Sequence, residues 1–214
     1  LTLPGSDRMA IPRRKLVDRN VQQRDARLFL IVTEGARTEP NYFRAVEDAR
    51  LIPVERMKLH VVPPDDGATA PKHLLGRAET AQRAVQPWQP DDEVWLVFDV
   101  DAQSGSNRLD QVRETAQDAM RRGWQGAVSN PCFQVWVLLH APGERQPAPP
   151  HPSHIVDALR RAFGQYNKTH VPARCLDAAA LAEAITHGRA MDVDADAPIP
   201  AHGVTRVYQL MAEM

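Results

Sequence analysis

Glu34, Asp99 and Asp101 are the residues whose types and spacing best suit them to act together chemically. Glu34 directly follows the apolar run Leu28-Phe29-Leu30-Ile31-Val32 and its Thr33, and Asp99-Val100-Asp101 directly follows Val94-Trp95-Leu96-Val97-Phe98. Both runs are short, continuous and rich in strand formers, the pattern of strands buried on both faces. Side chains two apart on an extended segment point to the same side, so Asp99 and Asp101 can converge on one cation. Glu34 completes the cluster if the two strands are neighbours. Three gathered carboxylates repel one another unless a hard cation neutralises them, and all-oxygen ligation suits Mg2+ or Mn2+. Such an ion activates water and polarises a phosphodiester oxygen, so the chemistry implied is metal-assisted phosphoryl chemistry. Taken singly, each piece is ordinary turn chemistry. Their joint placement carries the expectation.

The elements that must position these residues alternate along the chain. Thr38-Glu39-Pro40 reads as an N-cap followed by a helix-tolerated proline, opening a helix through Tyr42, Phe43, Val46 and Ala49. Residues 57–62, closed by Pro63-Pro64, form a second strand, and residues 71–85 a helix. The third strand, 94–98, is followed by a polar loop and a helix over 108–122. Residues 126–129 are a weak fourth strand, and Asn130-Pro131 reads as a cap and first-turn proline for an apolar helix over 133–140. This alternation implies an α/β fold with a mainly parallel sheet, helices on both faces and right-handed crossovers. Ligands of such sheets bind in the crevice at the carboxyl ends of the strands, where the three acids lie. Residues 141–152 contain five prolines and separate the α/β core, 28–140, from a helical C-terminal extension, 141–214. Helices are expected there over 153–163, 177–186 and 204–213, with an Asp/Ala/Pro-rich loop over 191–201.

With 214 residues and 43% hydrophobic side chains, residues 28–214 are read as a single domain. Lys and Arg number 26 against 27 Asp and Glu, so a net charge of -1 offers no global attraction for nucleic acid, and a local patch has to supply it. Residues 1–27 carry Arg13, Arg14, Lys15, Arg19, Arg24 and Arg27, a basic and partly disordered arm. It is either a solvated leader or a phosphate-contacting arm beside the site. Leu1 to Arg8 precede Met9 and are set apart from the fold as vector-derived or upstream sequence. Two cysteines without repeated spacing, Cys132 and Cys175, suggest free thiols and a cytoplasmic location. No apolar run approaches the ~20 residues that span a bilayer, so no membrane partner is expected. Walker-type glycine loops, a G-x-G-x-x-G after a strand and Cys/His zinc spacing are absent from the sequence. His151 and His154 read as a surface pair, and Cys132 as a packing residue.

Three strings in order resemble the RloB family: Ile31-Val32-Thr33-Glu34-Gly35-Ala36-Arg37-Thr38-Glu39-Pro40-Asn41-Tyr42-Phe43, then Val97-Phe98-Asp99-Val100-Asp101, then Ser129-Asn130-Pro131-Cys132-Phe133 through Trp136 to His140. Tyr166-Asn167-Lys168 and the closing Val204-Thr205-Arg206-Val207-Tyr208 extend the resemblance from about Arg27 to the C-terminus. That family is associated with phage resistance and is similar to Toprim nucleases. In those enzymes a glutamate after the first strand and an Asp-x-Asp after a later one bind Mg2+ for phosphodiester cleavage. The resemblance implies a Toprim-like sheet, with Glu34, Asp99 and Asp101 as metal-binding catalytic carboxylates. The implied activity is a Mg2+- or Mn2+-dependent nuclease acting on DNA or RNA, tRNA included, in antiviral, abortive-infection defence. It also implies Lys168 as a catalytic cation and Arg37, Glu39, Asn130, Gln134 and Tyr166 as residues that bind substrate or support the site. An ABC- or AAA-type ATPase encoded nearby is the implied protein partner, and a homodimer is left open.

One departure bears on the chemistry: relatives usually carry Asn-Pro-Cys-Phe-Glu where this chain has Asn130-Pro131-Cys132-Phe133-Gln134. An amide can hydrogen-bond but neither carries charge nor takes a proton. The segment from Ile199 to Gly203 also differs from the family's asparagine-proline and serine/threonine pattern, a local change. The rival reading is a catalytically weakened subunit that binds nucleic acid or the ATPase. A nucleotidyl transferase or other phosphoryl enzyme is a third, since a fold does not set the reaction.

Overall fold

The computed structural model describes residues 24–64, 70–100, 106–143 and 151–214. Four strands, β1 (Arg27–Thr33), β2 (Met57–Val62), β3 (Glu93–Asp99) and β4 (Gln125–Ser129), form one all-parallel sheet in the order β2-β1-β3-β4. β1 and β3 are central and buried along nearly their whole length, which is why each is an unbroken apolar run. β2 lies at an edge and turns Lys58 and His60 outward, charged and polar side chains that discourage further pairing.

The two-residue period of the strands sorts their side chains into two layers. Phe29, Ile31, Trp95 and Val97 join a core built with α1 (Thr38–Asp48), α4 (Gln134–Leu138), α5 (Pro152–Phe163), α6 (Ala178–Met191) and α7 (Val207–Glu213). Leu30, Val32, Val94, Leu96 and Phe98 face the opposite layer, formed by α2 (Pro71–Ala84) and α3 (Ser106–Arg121). Helices therefore flank the parallel sheet on both faces, the α/β architecture expected and consistent with a Toprim-like fold. The Tyr42 ring meets Phe43, Phe133 and Trp136 edge-on at centroid distances of 5.5, 5.6 and 6.3 Å, which ties α1 to α4. Among the described residues no helix is long and apolar enough to cross a membrane.

Several local expectations give way to tertiary contacts. Thr38 is the first residue of α1, not its cap: Arg37 takes the cap position, and the Thr38 hydroxyl donates to the Lys168 carbonyl at 3.2 Å. Asn130 caps no helix, because its amide donates to the Pro200 carbonyl at 2.9 Å, and α4 begins only at Gln134 behind Phe133. Residues 204–206 precede the helix and are not part of it. Thr205 pairs antiparallel with Ser129, and the Arg206 N–H donates to the Val128 carbonyl at 2.8 Å, so this segment covers the end of β4. Arg24 and Arg27 of the basic arm are bound into the fold near the start of β3. Arg24 pairs with Asp92, and Arg27 with Glu93 while also donating to the Asp91 carbonyl at 2.8 Å. That end of the sheet lies on the order of 20 Å from the carboxyl ends of the strands. Arg13, Arg14, Lys15 and Arg19 lie outside the described residues.

Candidate functional site

The chain leaves β1 toward β2 on one side and enters β3 on the other, so the gap between β1 and β3 is the topological switch point of the sheet. Glu34 and Asp99 stand at the carboxyl ends of those two strands. The Glu34 N–H donates to the Val97 carbonyl at 2.8 Å, which extends the β1–β3 pairing to the acids themselves. A cleft of about 650 Å3 opens there, and its wall includes Glu34, Gly35, Arg37, Glu39, Asp99, Arg108, Gln134, Ser153 and Lys168.

Each wall residue is held by its element. Glu34 is 8% exposed, and its carboxylate accepts the Asp99 N–H at 3.1 Å and pairs with Arg108. Glu39, in the first turn of α1 and buried, folds back over Gly35. A Cβ on Gly35 would lie 2.2 Å from Glu39 Oε2, so glycine alone leaves room for that carboxylate. Burial raises the pKa of Glu39 from its ordinary value, and Glu34 adds to the rise, while backbone N–H groups and Lys168 oppose it. Burial likewise raises Asp99 well above its usual range, with Glu39 and Glu34 adding to the effect. Asp99 Oδ1 is buried and has no hydrogen-bond partner. Three carboxylates thus share one desolvated corner, and a cation brought there would relieve their repulsion.

The opposite wall is polar and cationic. Gln134 opens α4 with its side chain buried in the cleft wall. Lys168 and Arg37 are exposed at the rim. Two hydrogen bonds from α1, Thr38 to the Lys168 carbonyl at 3.2 Å and Asn41 to the Thr169 carbonyl at 3.2 Å, hold the Lys168 loop against the cleft. Tyr166 is buried behind the cleft, beside Thr38, Tyr42, Val137 and Lys168. Burial raises the pKa of its hydroxyl, an effect partly offset by the nearby Gln134 side chain, although the hydroxyl completes no hydrogen bond.

The fold therefore gathers Glu34, Glu39, Asp99, Gln134, Arg37 and Lys168 around one cleft, with Tyr166 directly behind it. Asn130 is not in the described cleft wall and serves the backbone instead, accepting the Gly203 N–H at 2.8 Å and donating its own N–H to the Val204 carbonyl at 2.9 Å. Asp101 lies outside the described residues. Among the described residues no set of three or more His, Cys, Asp and Glu side chains is drawn into metal-binding geometry. Arg108 is the charged wall residue that sequence reasoning missed. It had one available signal: an arginine in the first turn of a helix opposes the helix dipole and so needs a carboxylate opposite it.

A family model described as RloB-like protein matches residues 29–214. No curated protein and no solved structure matches the chain.

Proposed function

The chain belongs to the RloB-like protein family, and we propose that it is a Mg2+- or Mn2+-dependent nuclease that hydrolyses phosphodiester bonds of DNA or RNA in antiviral defence. The observation that carries this reading is the meeting of Glu34, Asp99 and Glu39 at the switch point of a parallel sheet, in a cleft rimmed by Lys168 and Arg37. The donor types suit a hard divalent ion, being all oxygen, desolvated and inclusive of Asp99 Oδ1, which has no hydrogen-bond partner, although the described side chains are not drawn together into metal-binding geometry. Glu34 and Asp99, with Asp101 two residues on in the sequence, would hold that ion. When bound, it would supply Lewis-acid polarisation of a phosphodiester and activation of water.

The chain's own residues do the rest. Lys168 and Arg37 offer cations to the phosphates of an incoming strand, which the near-neutral chain as a whole does not attract. Gln134 offers an amide to the same cleft. The hydrogen bonds from α1 to the carbonyls of Lys168 and Thr169 hold the backbone that carries this cation beside the cleft.

The test is cleavage of labelled tRNA, single-stranded DNA and plasmid with Mg2+ or Mn2+, with and without an ABC- or AAA-type ATPase of the kind the family resemblance implies. Cleavage that needs the metal and disappears in Glu34→Gln is expected. A second reading, a weakened subunit that binds nucleic acid or the ATPase, is favoured by Gln134 standing where the family's carboxylate is expected. Tight binding without cleavage in every arm would select it.

A further inference from the structure

Both oxygens of the Glu34 carboxylate are already engaged. Oε2 accepts the Asp99 N–H at 3.1 Å, and Oε1 pairs with the guanidinium of Arg108. The same guanidinium donates to the Asp99 carbonyl at 3.1 Å, so it bridges the carboxyl ends of β1 and β3. The side chains of this pair are only 15% and 10% exposed. A partly desolvated ion pair of this kind is held much more firmly than a surface pair. Arg108 also stands in the first turn of α3, where the helix dipole disfavours a cation, and its Nε is buried without a partner. Its placement is thus supported mainly by the Glu34 carboxylate and the Asp99 backbone carbonyl.

We propose that Arg108 is an internal cation that a divalent ion must displace from Glu34, so that the exchange of guanidinium for metal sets the affinity of the site. The inference rests on the metal-dependent reading above. Both Glu34 oxygens already accept a hydrogen bond, Oε1 from Arg108, so an ion ligated at Oε1 would stand against the guanidinium and the two cations would repel one another. Arg108 is therefore a positioning residue: it keeps Glu34 in place and offsets one negative charge among Glu34, Glu39 and Asp99.

The experiment is a calorimetric titration of Mn2+ into the full chain and into Arg108→Gln. Removing the competitor and one positive charge should tighten Mn2+ binding about tenfold, whereas loss of a purely structural residue would leave it unchanged or weaken it. Equal or weaker binding by Arg108→Gln overturns the inference and leaves the metal reading standing. Binding to neither protein overturns the metal reading and the inference with it, and binding to Arg108→Gln alone supports the inference in its strongest form. A second measurement uses the unsubstituted chain labelled with 15N-arginine. The Arg108 Nε–H resonance, assigned by its absence from Arg108→Lys, should shift as Mg2+ is added. A resonance that stays fixed while Mg2+ saturates the site overturns the inference even if Arg108→Gln fails to fold.

Discussion

Gln134 places an uncharged amide, 6% exposed, in the same cleft as Glu34 and Asp99. Gln134→Glu would place a carboxylate here at the cost of adding a fourth acid to a desolvated corner. The expected outcome is higher Mn2+ affinity, with a higher phosphodiesterase rate if the protein has lost activity through this amide. Unchanged affinity would remove Gln134 from the site. A different residue-scale prediction concerns Arg206, whose guanidinium is buried against Asp192 at 3.0 Å and donates to the Asp194 carbonyl at 2.8 Å. Arg206→Ala leaves Asp192 buried without its countercharge, and urea denaturation should register a loss of about 3–5 kcal/mol. A loss below about 1 kcal/mol would mean that water replaces the guanidinium.

The helices of the extension are joined by contacts that tolerate little added volume. At Gly188 in α6, a Cβ would lie 2.8 Å from the Tyr208 Cβ of α7. Gly188→Ala should cost about 1–3 kcal/mol in thermal or urea unfolding despite alanine's better helix propensity. In the 3-10 turn Ala173–Leu176, burial pushes the Cys175 thiol up to about 12, so thiolate is scarce at pH 8. Cys175 should resist a disulfide reagent at pH 8 in the folded chain and react promptly in urea. Gly188 also shows where sequence reading falls short. A helix ending near residue 186 is the local expectation, yet α6 continues to Met191, because Gly188 is the place where Tyr208 packs. Central strands were legible because burial on both faces demands continuous apolar runs, as in β1 and β3. The capping roles expected of Thr38 and Asn130 were not, since their side chains bond to carbonyls 130 and 70 residues away. Likewise, Glu34 and Asp99 follow recognisable strands, whereas nothing local ties Arg108 to Glu34, 74 residues earlier.

For the molecule as a whole, the strand order does the decisive work by setting β1 beside β3, which brings acids separated by 65 residues into hydrogen-bonding contact. Among the described residues of the cleft wall, the acids Glu34, Glu39 and Asp99 are matched by Arg37, Arg108 and Lys168. A chain of net charge -1 therefore still gathers cationic side chains at this cleft. Residues 151–214 close the arrangement from one side, through Ser153 and Lys168 in the cleft wall and α7 against β4. Binding of a divalent ion at this corner through Glu34 and Asp99 is read by calorimetric titration of Mn2+ into the full chain and into Asp99→Ala. The variant should fold, since it sheds a desolvated and repelled carboxyl group, and should bind Mn2+ at least about tenfold more weakly. Mn2+ affinity equal to that of the unsubstituted chain would contradict the account.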